Sequence, residues 1–173
     1  MPSPILSFYA GGTDDRGRTL DDILAWDNAR LEAIHDYIQR LFPLPEPSAF
    51  NASAPLLSAQ DIAAFRDDPA LQGRLLAAFR RMLEFYGFEL GEDDARPEVL
   101  EAHGPAAQKR AWLTPGNHNM LRITRVLRCL TLLGLTSHAR ALLAALERLY
   151  DAEAAPAIGA VTMRYWREAV TVA

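Results

Sequence analysis

Apolar residues recur at helical spacing through most of the chain. Leu20, Ile23, Leu24, Leu31, Ile34, Ile38, Leu41 and Phe42 fall on one arc of a 3.6-residue period, with Trp26 and Tyr37 at its edge. Thr19, three residues before Asp22, opens this run in the manner of a capping box, so the pattern predicts one helix over residues 20–41. Pro43, Pro45 and Pro47 stop it, because proline lacks an amide donor and biases its predecessor away from helix. Ser58, with Asp61 behind it, starts a short helix containing Ile62 and Phe65. Asp68-Pro69 starts the next, in which Leu71, Leu75, Leu76, Phe79, Met82, Leu83 and Tyr86 form a stripe that ends at Gly87.

The richest stretch is residues 117–135, NHNMLRITRVLRCLTLLGL. Two amides, a histidine and three arginines crowd its first twelve residues, and an apolar run then ends at Gly134. Thr136 or Ser137 restarts a helix reaching Tyr150, Pro156 and Gly159 interrupt, and residues 161–170 form a last amphipathic segment. Residues 91–96 read as an acidic connector, followed by a helix beginning at Pro97 or after Pro105. No segment alternates as a strand would. The expectation is an all-α fold: an extended N-terminal arm over residues 1–18, docked through Phe8 and Tyr9, and a single helical domain over 19–173, with about six or seven helices packed around a central one.

Composition narrows the function classes. Eighteen basic against 22 acidic residues give a net charge of -4, which disfavours a nucleic-acid partner recruited by overall charge. The single cysteine, Cys129, falls in an apolar helical register and fits a reducing compartment. No apolar run reaches the roughly 18 residues of a membrane span, and no signal peptide opens the chain, so a soluble cytoplasmic protein is expected. The four histidines lack metal-ligand spacing, and no phosphate loop, dinucleotide fingerprint or nucleophile elbow is present. No metal, cofactor or catalytic residue is assigned.

The chemistry that remains is a polar stripe. His118, Arg122, Arg125 and Cys129 fall within about 60° of one another on a helical projection, and Asn117 is a candidate N-cap with Asn119 in the first turn. Two guanidinium forks beside first-turn amides suit a carboxylate or phosphate, which makes His118, Asn119, Arg122 and Arg125, with His35, the candidate ligand-binding residues. The structural alternative has Arg122 and Arg125 held by Asp27, Glu32 or Asp36 in an internal network. Asp27, placed inside the apolar arc, calls for a buried partner, for which an arginine of the opening stretch is the candidate.

Several ordered blocks carry a family likeness. Trp26, Leu31-Glu32, His35 through Gln39 and Leu41 through Leu44 resemble the first signature block of the conserved domain of the opioid growth factor receptor family. Phe50-Asn51 with Ala54 through Leu57, Met82 through Gly87, His118-Asn119 with Leu121 through Arg125, Leu133 through Leu135, and Tyr165-Trp166 resemble the later blocks, so the likeness runs from Phe8 to Trp166. Arg40 stands where the family commonly has tryptophan. The chain looks like a stand-alone, microbial-type copy of the domain. The resemblance implies an α-helical domain and, in animal members, a receptor for an opioid pentapeptide associated with the nuclear envelope and growth inhibition. It carries over no catalytic residues. The reading is therefore a non-enzymatic, receptor-like binding module for a short peptide or small anionic ligand, with unknown oligomeric state. A small-molecule enzyme using a His/Arg site and a structural or oligomerising protein using the Trp166 end are the alternatives.

Overall fold

The computed structural model describes residues 1–103 and 111–171. Backbone contacts divide the chain into two units, Met1–Phe79 and Arg80–Ala173. The described residues are mostly helical, with one small two-stranded sheet.

In the first unit the opening is not simply an extended arm. Ser3 accepts a hydrogen bond from the Leu6 amide, Pro4 takes an early helical position, and α1 (Pro4–Tyr9) follows. Serine followed by proline is a helix start, a signal obscured by the glycines around it. The expected docking of Phe8 and Tyr9 does occur. Both are buried, Tyr9 meets the Phe65 ring edge-on at 4.8 Å, and its hydroxyl donates to the Leu41 carbonyl.

The single helix expected over residues 20–41 is three short ones, α2 (Leu20–Leu24), α3 (Asn28–Ala33) and α4 (Ile38–Leu41). Thr19 and Asp22 make the predicted capping box. Asp27 then diverts the chain: its carboxylate accepts from the Arg30 amide at 2.8 Å and caps α3, which places it on the surface. The buried Asp27–arginine pair is thus replaced by an exposed N-cap. Ile34 is extended and ends α3, and the Tyr37 hydroxyl donates to the Leu31 carbonyl. Leu20, Ile23, Leu31, Ile38, Leu41 and Phe42 are nevertheless all buried. The arc identified the core without identifying the breaks in the helix.

Ser58 and Asp61 cap α5 (Ala59–Asp67) reciprocally, and Ser3 Oγ donates to the same Asp61 carboxylate at 2.5 Å. Next, α6 (Pro69–Tyr86) opens with Asp68 accepting from the Ala70 amide. Leu71, Leu75 and Phe79 are buried in its first part, and Met82, Leu83 and Tyr86 beyond the unit boundary.

The second unit holds a departure from the all-α expectation. After Gly87, β1 (Phe88–Leu90) pairs antiparallel with β2 (Val99–Glu101), Glu89 facing Leu100, and the acidic connector is their loop. Three-residue strands are too short to display a period of two. The strand at Val99 excludes a helix starting at Pro97; the alternative start after Pro105 lies largely outside the described residues. Trp112 donates from its indole nitrogen to the Tyr86 carbonyl at 3.1 Å and packs edge-on against the Tyr86 ring.

The predicted central helix is present as α7 (Asn119–Leu132), packed against α8 (Thr136–Leu149) and α9 (Ala155–Ala169), with a π-helical turn at Tyr150–Ala154 leading into α9. Met120, Ile123, Val126, Leu127 and Leu130 are buried along α7, and the Trp166 indole nitrogen of α9 donates to the Met120 carbonyl at 3.1 Å. Pro156 lies within the first turn of α9, and Gly159, at φ 78°, kinks it. Among the described residues, no helix is long and apolar enough to cross a membrane.

Candidate functional site

The start of α7 is built from linked amides. Asn117 Oδ1 accepts from the Asn119 backbone amide at 2.9 Å and from the Asn119 side-chain amide at 3.1 Å, while Asn117 Nδ2 donates to Thr114 Oγ1. Asn117 therefore does cap the helix, although the residue at the formal cap position is His118, which makes no side-chain cap bond. Asn119 is fully buried, and its Oδ1 accepts from Arg122 Nη1 at 3.3 Å. His118 Nε2 lies 3.4 Å from Asn119 Nδ2. Arg122 is itself buried, at 5 % exposure, whereas His118 and Arg125 are half-exposed. The stripe thus descends into the core. At its foot Cys129 is fully buried, and burial pushes its thiol pKa up, against the opposing pull of Arg125.

The other residues expected to serve the site belong to the first unit. His35 is exposed between α3 and α4, Glu32 is half-exposed on α3, and Asp27 caps that helix. Asp36 accepts from Arg18 Nη1 at 2.9 Å and pairs with Arg16 Nε at 2.6 Å. Asp27 and Asp36, two of the three acids proposed as a clamp, thus have partners within the first unit.

Sequence reasoning missed a second constellation, centred on Asp14. The turn DDRGR closes with the Gly17 amide donating to the Asp14 carbonyl, and Gly17 adopts φ 73°, a conformation that favours glycine. Asp14 accepts from the backbone amides of Arg16 and Arg18, each at 2.9 Å, and from Arg18 Nε at 2.7 Å. Burial alone would raise the pKa of Asp14; the Arg18 side chain and the two amides overcome it and hold the carboxyl below its ordinary value. Arg40 completes the network, 3.6 Å from Asp14 through Nε and 2.6 Å from Asp15 through Nη2. The visible signal was two acids and two arginines around one glycine, and the opening arginine does find a carboxylate, though not Asp27. Among the described residues, no group of three or more histidine, cysteine or acidic side chains is arranged to hold a metal.

The sequence profile of the opioid growth factor receptor (OGFr) conserved region matches residues 5–172. The chain is 42 % identical to the opioid growth factor receptor of Rattus norvegicus over 136 residues, covering 75 % of this chain and 23 % of that protein. Against the Homo sapiens receptor it is 42 % identical over 139 residues, 77 % of this chain and 20 % of the relative. Opioid growth factor receptor-like protein 1 of Xenopus tropicalis is 36 % identical over 122 residues, 68 % of this chain and 23 % of its own length. The match thus spans less than a quarter of these relatives, and no solved structure matches. With nearly every described element inside the conserved region, the chain belongs to the opioid growth factor receptor family.

Proposed function

We propose that this chain is a non-enzymatic binding module that takes a short peptide or small anionic ligand at the N-terminal end of α7. The observation that carries this reading is the arrangement of the first two turns: Asn117 and Asn119 lock the entry to the helix, Arg122 braces Asn119 from within, and His118 and Arg125 remain half-exposed on the same stripe. A carboxylate there would meet a guanidinium, an imidazole and the positive end of a helix dipole. The relatives are named as receptors for an opioid growth factor, which supports a recognition role for the shared region. Cytoplasmic residence belongs to the same reading, in keeping with a lone cysteine, Cys129, that is free and buried.

The test is an amide-resolved NMR titration of the chain with opioid growth factor peptide and, separately, with inorganic phosphate. Shifts confined to residues around His118 and Arg125 are expected, and Arg125→Ala should weaken binding roughly tenfold while leaving the melting temperature unchanged. Saturating probe that leaves these amides unmoved would falsify the proposal.

A further inference from the structure

The first unit contains a cleft of about 360 Å³. Pro4, Ile5 and Phe8 of α1 and Pro55 of the loop after α4 supply its apolar lining, and Asp14, Asp15 and Arg40, with Ser7, Thr13 and Ser53, its polar lining. Such a volume is at the lower end of the roughly 300–1,000 Å³ typical of small-molecule sites, room for one side chain and its backbone groups.

The polar lining is incompletely used. Arg40 is buried, with a side-chain exposure of 9 %, yet only its Nη2 makes a hydrogen bond, to Asp15 Oδ1 at 2.6 Å. Its Nε, 3.6 Å from Asp14, is buried without a hydrogen bond, and among the described residues no hydrogen bond leaves Nη1. Asp15 is exposed and commits only Oδ1. The ion pair therefore retains an unused donor group on Arg40 and an unused acceptor oxygen on Asp15. Asp14, the third charge, is fully occupied by Arg18 and the two backbone amides.

A ligand with one charge matches only half of this pair. An anion alone faces Asp15, a cation alone faces Arg40, and a multiply charged phosphate is repelled by a lining with two carboxylates and one guanidinium. A dipolar ligand satisfies both groups. We propose that the cleft binds a free α-amino acid with an apolar side chain. Its carboxylate accepts from Arg40 Nη1, its ammonium donates to Asp15 Oδ2, and its side chain packs against Pro4, Ile5, Phe8 and Pro55. This site is independent of the reading given to α7, and a peptide end, which brings one terminal charge, is a poorer match.

Calorimetric titration of the full chain with leucine, methionine and phenylalanine tests it. Saturable binding of at least one is expected, and N-acetylation or amidation of that amino acid should each weaken it by roughly tenfold or more, since each deletes one charge. Asp15→Asn, a substitution at an exposed position, should do the same at unchanged melting temperature, and Pro55→Trp should block the cleft from a loop position. The proposal is overturned if none of the three amino acids binds the folded chain. It also fails if the acetylated and amidated forms bind as well as the parent, or if binding survives both substitutions.

Discussion

Asp14 and Asp27 are both aspartates near the start of the chain, and their fates show what a sequence can convey about a single residue. Periodicity placed Asp27 inside an apolar arc, a placement valid only if residues 20–41 form one helix. The carboxylate instead caps α3 from the surface. The buried acid is Asp14, whose side chain is wholly enclosed and whose partners come from its own turn and from the distant Arg40. Nothing local in DDRGR announces a contact with residue 40, so burial there was illegible. The two acids should respond differently to removal. Asp14→Asn removes the buried one of the two carboxylates paired with Arg18 and is expected to destabilise by roughly 2 to 5 kcal/mol, whereas Asp27→Ala loses only a cap, about 1 kcal/mol. Urea unfolding of both variants checks this, and equal losses would mean that Asp14 is not the anchor of the network.

At the level of elements, sequence signals performed best where one residue type has one physical use. The Thr19 and Ser58 capping boxes form as expected, and Gly134 ends the central helix. After α7 the Leu135 amide reaches back to the Leu130 carbonyl at 2.8 Å, a closure that requires Gly134 at φ 97°. Gly134→Ala is therefore expected to lower stability by about 1 kcal/mol or more, because a side chain is disfavoured in that conformation. Gly73, in the middle of α6 with open space around it, is the control: alanine there should be neutral or stabilising. A Gly134→Ala melting temperature at or above that of the parent would contradict the cap geometry. The breaks within residues 20–41 were less legible because most of the apolar positions, Leu24 and Ile34 excepted, are buried even though the helix is cut. The β1–β2 hairpin was hidden by its brevity, and the candidate site was only partly readable: spacing put His118, Arg122 and Arg125 on one stripe, but helical projection carries no depth, and Arg122 lies in the core while His118 and Arg125 do not.

For the molecule as a whole, the mostly helical character and the family were legible because many weak signals agree across the chain, from Phe8 to Trp166 in the signature blocks and over residues 5–172 in the conserved-region match. The electrostatic response to acid was not, because it depends on burial. His138 is 7 % exposed on α8; burial lowers its pKa below 6.5, with Arg80 acting in the same direction and Asp94 opposing. Asp14 and Asp61 are held below 3.8, their hydrogen bonds outweighing burial. In every case the folded pKa lies under the unfolded one, so the unfolded chain takes up the proton first and stability rises with pH through each interval. The contribution of His138 is complete above 6.5 and is lost as the pH falls from there through its folded pKa; those of Asp14 and Asp61 persist until the pH drops below 3.8 and then disappear as it falls through their folded values. Urea midpoints should therefore decline in two limbs on acidification from about pH 8, the first assigned to His138 and the second to the carboxylates. His138→Gln carries no titrating group and should flatten the upper limb while leaving the acid limb intact. An unchanged slope between about pH 7 and 5 in that variant would remove His138 as its origin, since a buried imidazole that resists protonation is the sole physical basis for assigning that limb to it.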